Sequence, residues 1–304
     1  MICGFLIAAL VNGWEQIRDY TWTLDFASLA LAMLLLLTYI ILHGLLWTWM
    51  VRRLSLDLSY SMGVRVYLWS QLAKYIPGGV WSFANVGVSA TQLGLPASLL
   101  MLIYIISTML VLCVSILFAF PLVLLSSELN VAVLPLMMVI VSVFVLLPVV
   151  LNWTIRKLMV WRAIHNDVDP SHLTSYPTIL ALLVVFSMVH FLAFAAFYLY
   201  FTSLSGASSS QGLYAAMAWS GSWFVGLVVL VVPSGLGVRE GTLVALLAPV
   251  VPASVAVALA FGYRLFTTVL DLLVLLGLLL YRGMNEVVRR NRAIKLPARP
   301  SRNL

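Results

Sequence analysis

Long runs of apolar residues constrain this chain more than any other feature of its sequence. Six runs can form a helix that crosses a bilayer, which takes about 20 apolar residues. They cover residues 26–51, 97–125, 131–151, 176–201, 211–232 and 262–281. Apolar residues fill 63% of the 304 positions and charged residues only 9%, so a water-soluble fold could not cover its own apolar surface. The sequence therefore predicts an all-α polytopic membrane protein.

Two shorter segments bring the predicted number of transmembrane helices to about eight. Residues 242–258 contain Pro249 and Pro252, which predict a kinked or broken helix. Residues 2–11 would rise only about 15 Å as a helix, so this helix either extends through residues 14–17 or starts upstream. We expect the N-terminus to be retained, because it lacks the basic region and cleavage site of a signal peptide.

The distribution of basic residues predicts the orientation of these spans. Cytoplasmic loops carry an excess of Lys and Arg, and seven of the 17 basic residues lie between Arg282 and Arg302. A cytoplasmic C-terminus collects 15 basic residues on one side, provided that residues 54–96 begin and end there. We therefore expect one transmembrane domain over residues 1–281 and a basic cytoplasmic tail over residues 282–304. A multi-pass protein of the inner, cytoplasmic membrane fits this pattern.

Residues 64–93 are predicted to form a re-entrant or interfacial helical hairpin. The segment is amphipathic and is interrupted at Pro77, Gly78 and Gly79. A broken backbone is tolerated at membrane depth only where protein or a water-filled cavity satisfies its polar groups. The hairpin is therefore expected to be sheltered from lipid.

A second broken segment is predicted at residues 233–258. Gly235 and Gly237 precede Arg239 there, much as the first Pro-Gly run follows Lys74. Interrupted segments at corresponding positions of two halves are typical of transporters built from inverted repeats. Two short Pro/Gly clusters can also coincide by chance, and the sequence leaves both interpretations open.

Ionisable side chains inside the spans are candidates for function, because each costs several kcal/mol in a bilayer. Asp271 lies near the middle of the run 262–281, and Arg264 lies seven residues earlier on the same helical face. Their axial offset of about 10.5 Å is too large for a tight pair. Asp271 is therefore expected to pair with another segment, with Arg239 and Lys74 as first candidates. A structural ion-pair system that holds helices together is the alternative.

The broken segments also offer a place for an anion. A helix that starts inside the protein presents unpaired backbone N–H groups, and a nearby basic residue adds positive charge. Such a cradle suits a phosphate or a carboxylate, whereas a plain turn between helices is the alternative. The candidate substrate-binding residues are Lys74, Pro77, Gly78, Gly79, Gly235, Gly237, Arg239, Glu240, Arg264 and Asp271.

The remaining polar residues do not indicate catalysis. His43 and His190 have no carboxylate or second histidine at helical spacing, which favours interhelical hydrogen bonds over metal binding or a proton relay. Asp167 and Asp169 favour a solvated loop over a sugar-nucleotide metal site. No motif of a soluble enzyme is present. We expect no catalytic residue, cofactor or metal, and no nucleic-acid partner.

The two broken segments carry a family resemblance. Residues 74–81 read KYIPGGVW and residues 233–241 read PSGLGVREG. In this order and separation, the pair resembles the transmembrane region of lysylphosphatidylglycerol synthases, a family of flippase-like membrane proteins. The resemblance implies a module that moves lipids between leaflets, with Lys74, Arg239 and Glu240 at matching motif positions.

Two departures limit what the resemblance implies. No aminoacyltransferase domain follows Tyr281 within the 304 residues, so this chain alone is not expected to synthesise lysylphosphatidylglycerol. Many relatives carry an arginine in the helix after the first motif, whereas here no basic residue occurs between Lys74 and Arg156. The specificity for a lipid headgroup is therefore left open.

The residues and the resemblance together predict a lipid translocase of the cell envelope. Its substrate would be an anionic, phosphate-bearing lipid or a lipid-linked glycan, and its partners would be membrane lipids with anionic headgroups. The alternative is a non-transporting membrane partner of a cell-envelope glycosyltransferase or lipid-modifying enzyme. An enzyme acting within the membrane comes third.

Overall fold

The chain is helical wherever its structure is described. The computed structural model describes residues 13–54, 56–75, 81–125, 175–228 and 237–294. All regular secondary structure in these ranges is helical, which confirms the predicted class there. The α-helices are α1 (Trp14–Asp19), α2 (Phe26–Arg53), α3 (Tyr60–Leu72), α4 (Trp81–Gln92), α5 (Ala97–Leu125), α6 (Tyr176–Ser205), α7 (Ser209–Val228), α8 (Val238–Leu247) and α9 (Ala253–Ile294), and a 3₁₀ turn (Ala73–Tyr75) follows α3.

Four of the described helices are long and apolar enough to cross a membrane. They are α2, α5, α6 and the first 29 residues of α9, Ala253–Tyr281. They confirm a membrane protein with several apolar helices. The predicted span at 131–151 and the N-terminal apolar run lie outside the described residues. The count of eight spans and the inverted repeat therefore stay predictions.

The second broken segment does not form a single helix that spans the membrane. Helix α8 ends at Leu247 and α9 begins at Ala253, so residues 242–258 are divided between two helices. Pro249 and Pro252 give the physical reason, since proline lacks an N–H group and its ring clashes with the preceding helical turn. With ten residues, α8 rises about 15 Å, half the thickness of the hydrocarbon core.

Helix α3 returns from the end of α2 into the apolar bundle. Gly63 lies against Thr48, and the ring of Tyr67 lies against Gly44. Residue numbers increase along α3 where they decrease along α2, so the two helices are antiparallel. Helices α3 and α4 also contact each other. The interruption at Pro77, Gly78 and Gly79 lies outside the described residues, and a re-entrant path for the whole hairpin stays a prediction.

Contacts between helices define two ends of the bundle. At one end, the backbone N–H of Thr23 donates to the carbonyl of Leu204 at 3.0 Å, so α2 starts where α6 ends. At the other end, the guanidinium of Arg65 lies 5.0 Å from the centre of the Tyr281 ring. We call this second end the basic end. Helix α9 therefore runs from the first end to the basic end, as α2 does.

The two faces of α9 differ in polarity. Five apolar side chains that recur every three or four residues are 49–67% exposed: Leu265, Val269, Leu272, Leu276 and Leu279. Such a stripe is expected where acyl chains cover the protein. Arg264, Thr268 and Asp271 follow the same spacing on another face, which meets α8 and the 3₁₀ turn after α3. That face positions the candidate site.

Candidate functional site

Asp271 is a buried carboxylate with a cationic partner from a distant segment. It is 4% exposed, and its Oδ2 lies 2.7 Å from Nζ of Lys74. The hydroxyl of Tyr75 donates to the same oxygen and lies 3.3 Å from Oγ1 of Thr268. The prediction that Asp271 pairs with another segment is confirmed, with Lys74 as the partner. The pair links the turn after α3 to α9.

Glu240 connects α8 to α9. Its Oε1 lies 3.1 Å from Nη1 of Arg264, and its Oε2 accepts a hydrogen bond of 2.7 Å from the backbone N–H of Gly237. Gly237 has a φ of 85°, in the left-handed region that favours glycine. The sequence predicted unpaired N–H groups at this helix start. At Gly237 the N–H is instead satisfied, because a glutamate at the third helical position reaches back to it.

Arg239 is held by aromatic rings rather than by a carboxylate. Its Cζ lies 4.7 Å from the ring centre of Trp223 and 5.7 Å from that of Trp219. Among the described residues, no carboxylate oxygen lies within 4.0 Å of its guanidinium. Gly226 allows the close approach, since a Cβ added there would lie 3.0 Å from Cβ of Arg239. The cation is therefore positioned by packing and cation–π contacts.

A small cavity between α8 and α9 joins Arg239 to the second ion pair. Its volume is about 10 Å³, room for about one water molecule. It is lined by Arg239, Glu240, Leu243, Ala260, Tyr263, Arg264 and Thr267. The Lys74–Asp271 pair does not line this cavity, although Arg239 and Arg264 both lie within electrostatic reach of Lys74. The charged candidates thus form two adjoining arrangements.

The structure brings together every predicted site residue that it describes. These are Lys74, Gly237, Arg239, Glu240, Arg264 and Asp271. The other candidates, Pro77, Gly78, Gly79 and Gly235, lie outside the described residues. Within the described ranges, no three His, Cys, Asp or Glu side chains form a metal-binding group.

Sequence reasoning missed the neutral side chains that hold these charges. Tyr75 contacts both Asp271 and Thr268, and Trp219 and Trp223 hold Arg239. One signal was available, because the two tryptophans are four residues apart and so share a helical face. Their distance in sequence from Arg239 gave no indication of the contact.

The charges at the site do not balance. In the described part of the chain, the cations Lys74, Arg239 and Arg264 meet the carboxylates Glu240 and Asp271, which leaves one positive charge in excess. A charge inside a membrane protein is expected to have a partner or access to water. The arrangement therefore has the electrostatics to accept one anionic group.

Comparison with known proteins connects this site to a family. A model of the family described as "Lysylphosphatidylglycerol synthase TM region" matches residues 1–275. The match includes every described residue of the site, from Lys74 to Asp271. No match was found among curated proteins or among solved structures.

Proposed function

The chain belongs to the lysylphosphatidylglycerol synthase TM region family, and on that premise we propose that it is a lipid translocase. Its substrate is an anionic, phosphate-bearing lipid or lipid-linked glycan, bound inside the membrane. The proposal rests on the surroundings of Arg239. Within the described residues it is a half-buried cation whose close neighbours are two tryptophan rings. A phosphate supplies the missing counter-charge, and its oxygens match the planar fork of a guanidinium.

The two ion pairs near Arg239 support a site that accepts an anion without losing its internal pairs. Lys74 is paired with Asp271, and Arg264 with Glu240. A phosphate therefore binds Arg239 without leaving a buried carboxylate or cation unpaired. The apolar surroundings strengthen the attraction, because Coulomb interactions grow as the effective dielectric constant falls.

The broken segment supplies a moving part for this mechanism. Arg239 and Glu240 lie in the first turn of α8, and residues 248–252 separate that helix from α9. In transporters, discontinuous helices form the binding site between the moving parts. Rotation of α8 about this connection would change the leaflet from which Arg239 is reached. Chemical conversion of the lipid is not part of the proposal.

We place the basic end of the bundle in the cytoplasm and the protein in the inner membrane. The contact of Arg65 with Tyr281 puts α3 and the end of the last described span at the same side, and basic residues concentrate there. Labelling of single cysteines at Ser59, Ser210 and Ser301 in a cysteine-free background tests this topology. Ser59 and Ser301 should react from the cytoplasmic face and Ser210 from the opposite face. Reaction of Ser59 and Ser301 from different faces would contradict it.

The translocase proposal is tested in vesicles that contain labelled phosphatidylglycerol. The purified wild type should move the label between leaflets, and Arg239→Gln should slow this movement about tenfold or more, because a charge-assisted hydrogen bond contributes about 1.5–3 kcal/mol. Arg53→Gln is the matched control. The Arg53 guanidinium also lies over a tryptophan ring, that of Trp49 at 4.8 Å, but at the exposed end of α2. Thermal melting of each variant in detergent shows whether folding is retained.

The results separate the proposed function from its alternative. Slow translocation by Arg239→Gln, with folding retained and normal movement in Arg53→Gln, supports the proposal. Equal rates in both variants would remove Arg239 from the mechanism. A wild type that binds lipid without moving it would favour the non-transporting partner of a cell-envelope glycosyltransferase or lipid-modifying enzyme.

A further inference from the structure

Five polar aromatic side chains lie in contact near Arg239 in the interior of the bundle. We call them the aromatic–histidine cluster: Tyr39 and His43 of α2, His190 of α6, Trp219 of α7 and Tyr263 of α9. Ring centres are separated by 4.6 Å for Tyr39 and His43, 6.3 Å for Tyr39 and His190, 5.7 Å for His190 and Trp219, and 6.1 Å for Trp219 and Tyr263. The rings thus form a continuous chain from α2 to α9.

Several polar atoms of this cluster have no partner in the described part of the chain. They are Nε2 of His43, Nδ1 of His190, Nε1 of Trp219 and the hydroxyl of Tyr263. Each of these four side chains is at most 3% exposed. A buried polar group without a hydrogen bond costs about 1–3 kcal/mol, and native proteins leave few of them. Of these four side chains, Tyr263 also lines a cavity, so its hydroxyl is the one best placed to meet a polar group from outside the protein.

Tyr263 connects this cluster to the anion site. It lines the cavity that also contains Arg239, Glu240 and Arg264. The cavity encloses about 10 Å³, and the space around it reaches about 250 Å³ when the open mouth is included. A water molecule fits the enclosed part. A group bound to Arg239 can therefore place a hydroxyl in the enclosed part of the cavity, beside Tyr263.

The chemistry of the cluster favours hydroxyl groups over amines. A hydroxyl both donates and accepts, so it can form a hydrogen bond with the Tyr263 hydroxyl in either direction. None of the five cluster residues is a carboxylate. Glu240 is already bonded to Arg264 and Gly237, so an ammonium group would meet Arg239 without gaining a new counter-charge. An added positive charge on the ligand is therefore unfavourable here.

We propose that Tyr263, where the aromatic–histidine cluster meets the cavity, binds a hydroxyl group of a lipid headgroup whose phosphate lies at Arg239. The site thereby selects a hydroxylated headgroup over a phosphate without an alcohol group and over an amino headgroup. This inference rests on the proposed function, because it takes Arg239 as the phosphate ligand.

Substitutions of two neighbouring tyrosines test whether the Tyr263 hydroxyl binds a ligand or only packs in the bundle. The hydroxyl of Tyr200 donates to the carbonyl of Leu259 at 3.0 Å, and its ring lies 5.0 Å from that of Tyr263. Tyr200→Phe therefore removes a hydrogen bond of the fold. Tyr263→Phe removes a hydroxyl that makes none within the described residues. If the cluster only packs, Tyr263→Phe should leave the melting temperature unchanged or raise it, with no effect on ligand preference.

Binding is measured from the shift in melting temperature of the detergent-solubilised protein with three short-chain probes. These are phosphatidylglycerol, phosphatidic acid and phosphatidylethanolamine, which add two hydroxyls, no alcohol group and an amine, respectively. We expect the wild type to bind phosphatidylglycerol about tenfold more tightly than either other lipid, the effect of one or two hydrogen bonds. Tyr263→Phe should reduce that preference about fivefold and leave phosphatidic acid affinity unchanged. Tyr200→Phe should keep the preference and melt at a lower temperature.

The outcomes distinguish this inference from the proposed function. If the wild type binds all three lipids equally, or if Tyr263→Phe keeps the full preference, the inference is overturned while Arg239 remains the phosphate ligand. If no lipid binds, or if Arg239→Gln binds all three as tightly as the wild type, the proposed function itself fails. Tighter binding of phosphatidylethanolamine than of phosphatidylglycerol would also overturn the inference.

Discussion

Lys74 and Arg239 have similar positions in the sequence but opposite surroundings in the fold. Each lies beside an interrupted segment, and each contacts an aromatic ring. Lys74 lies 2.7 Å from Asp271, whose oxygen also accepts a hydrogen bond from Tyr75. Arg239 contacts Trp219 and Trp223, and the described residues give it no carboxylate. Lys74 is therefore paired with a carboxylate of the protein, whereas the described partners of Arg239 are two ring faces.

This difference predicts different roles for Lys74 and Arg239, although both lie beside similar sequence motifs. A cation paired with a buried carboxylate ties helices together, and breaking the pair destabilises the fold. A cation held by ring faces is fixed in position while its N–H donors stay available for a ligand. The Lys74 region is therefore expected to determine stability, and the Arg239 region ligand binding.

The largest expected effect comes from breaking the neutralised pair. Asp271→Asn should lower the free energy of unfolding by about 3 kcal/mol, the low end of the range for a broken buried pair, because the Lys74 side chain left beside a neutral amide is 32% exposed. Thermal melting in detergent and the yield of folded protein measure the change. The double variant Lys74→Gln with Asp271→Asn should recover part of the loss, since no charge is then left without a partner.

An exposed ion pair serves as the control for this variant. Arg18 and Asp19 lie 3.0 Å apart with side chains 66% and 67% exposed, so Asp19→Asn should cost less than about 1 kcal/mol. If Asp271→Asn is no more destabilising than Asp19→Asn, the Lys74 region does not have the structural role assigned to it.

The neutralised pair was largely predictable from the sequence, for a physical reason. An acidic residue in the middle of an apolar run requires a partner, and few cations are available within the membrane. The spacing of Arg264 and Asp271 excluded a tight pair along one helix, which left Lys74 and Arg239 as candidates. The choice between them depends on how α3 folds back along α2, and that is set by packing at Gly63 and Gly44.

The surroundings of Arg239 could not be predicted in the same way. Trp219 and Trp223 occur in an apolar run, where tryptophan is unremarkable as a core residue. Only the packing of α7 on α8 brings them to the guanidinium. The division of residues 242–258 into two helices was partly visible, because two prolines interrupt the run.

An intermediate effect is expected from the glycine that allows Arg239 to approach α7. In Gly226→Ala the new Cβ would lie 3.0 Å from Cβ of Arg239, so Arg239 must give way by a few tenths of an ångström. We expect a loss of about 1–3 kcal/mol in the free energy of unfolding from overpacking, together with weaker lipid binding because the guanidinium is displaced. Thermal melting and the lipid-induced melting shift measure the two effects.

Gly221→Ala in the same helix is the matched control. A Cβ there would lie 3.5 Å from its nearest neighbours, which is ordinary contact. That variant should keep or slightly increase stability, because alanine favours a helix more than glycine does. Equal melting temperatures for both variants would contradict a close approach of α7 and α8 at Arg239.

The smallest expected effect comes from the hydroxyl that supports the neutralised pair. Tyr75→Phe removes the hydrogen bond to Asp271 and keeps the ring that lies 5.3 Å from Nζ of Lys74. Because Tyr75 is 44% exposed, water replaces part of the lost bond, and we expect a cost below about 1 kcal/mol. Tyr60→Phe is the control, since Tyr60 is 43% exposed and its hydroxyl makes no hydrogen bond within the described residues.

A double variant tests whether the cost of losing the Tyr75 hydroxyl arises from its hydrogen bond to Asp271. If the Tyr75 hydroxyl acts through the carboxylate, its removal should cost less in the Asp271→Asn background than in the wild type, since the two sites are in contact. Melting temperatures of the two single variants and the double variant give this difference. Additive costs would mean that the hydroxyl contributes through Thr268, 3.3 Å away, and Asp271 would then be stabilised by Lys74 without help from Tyr75.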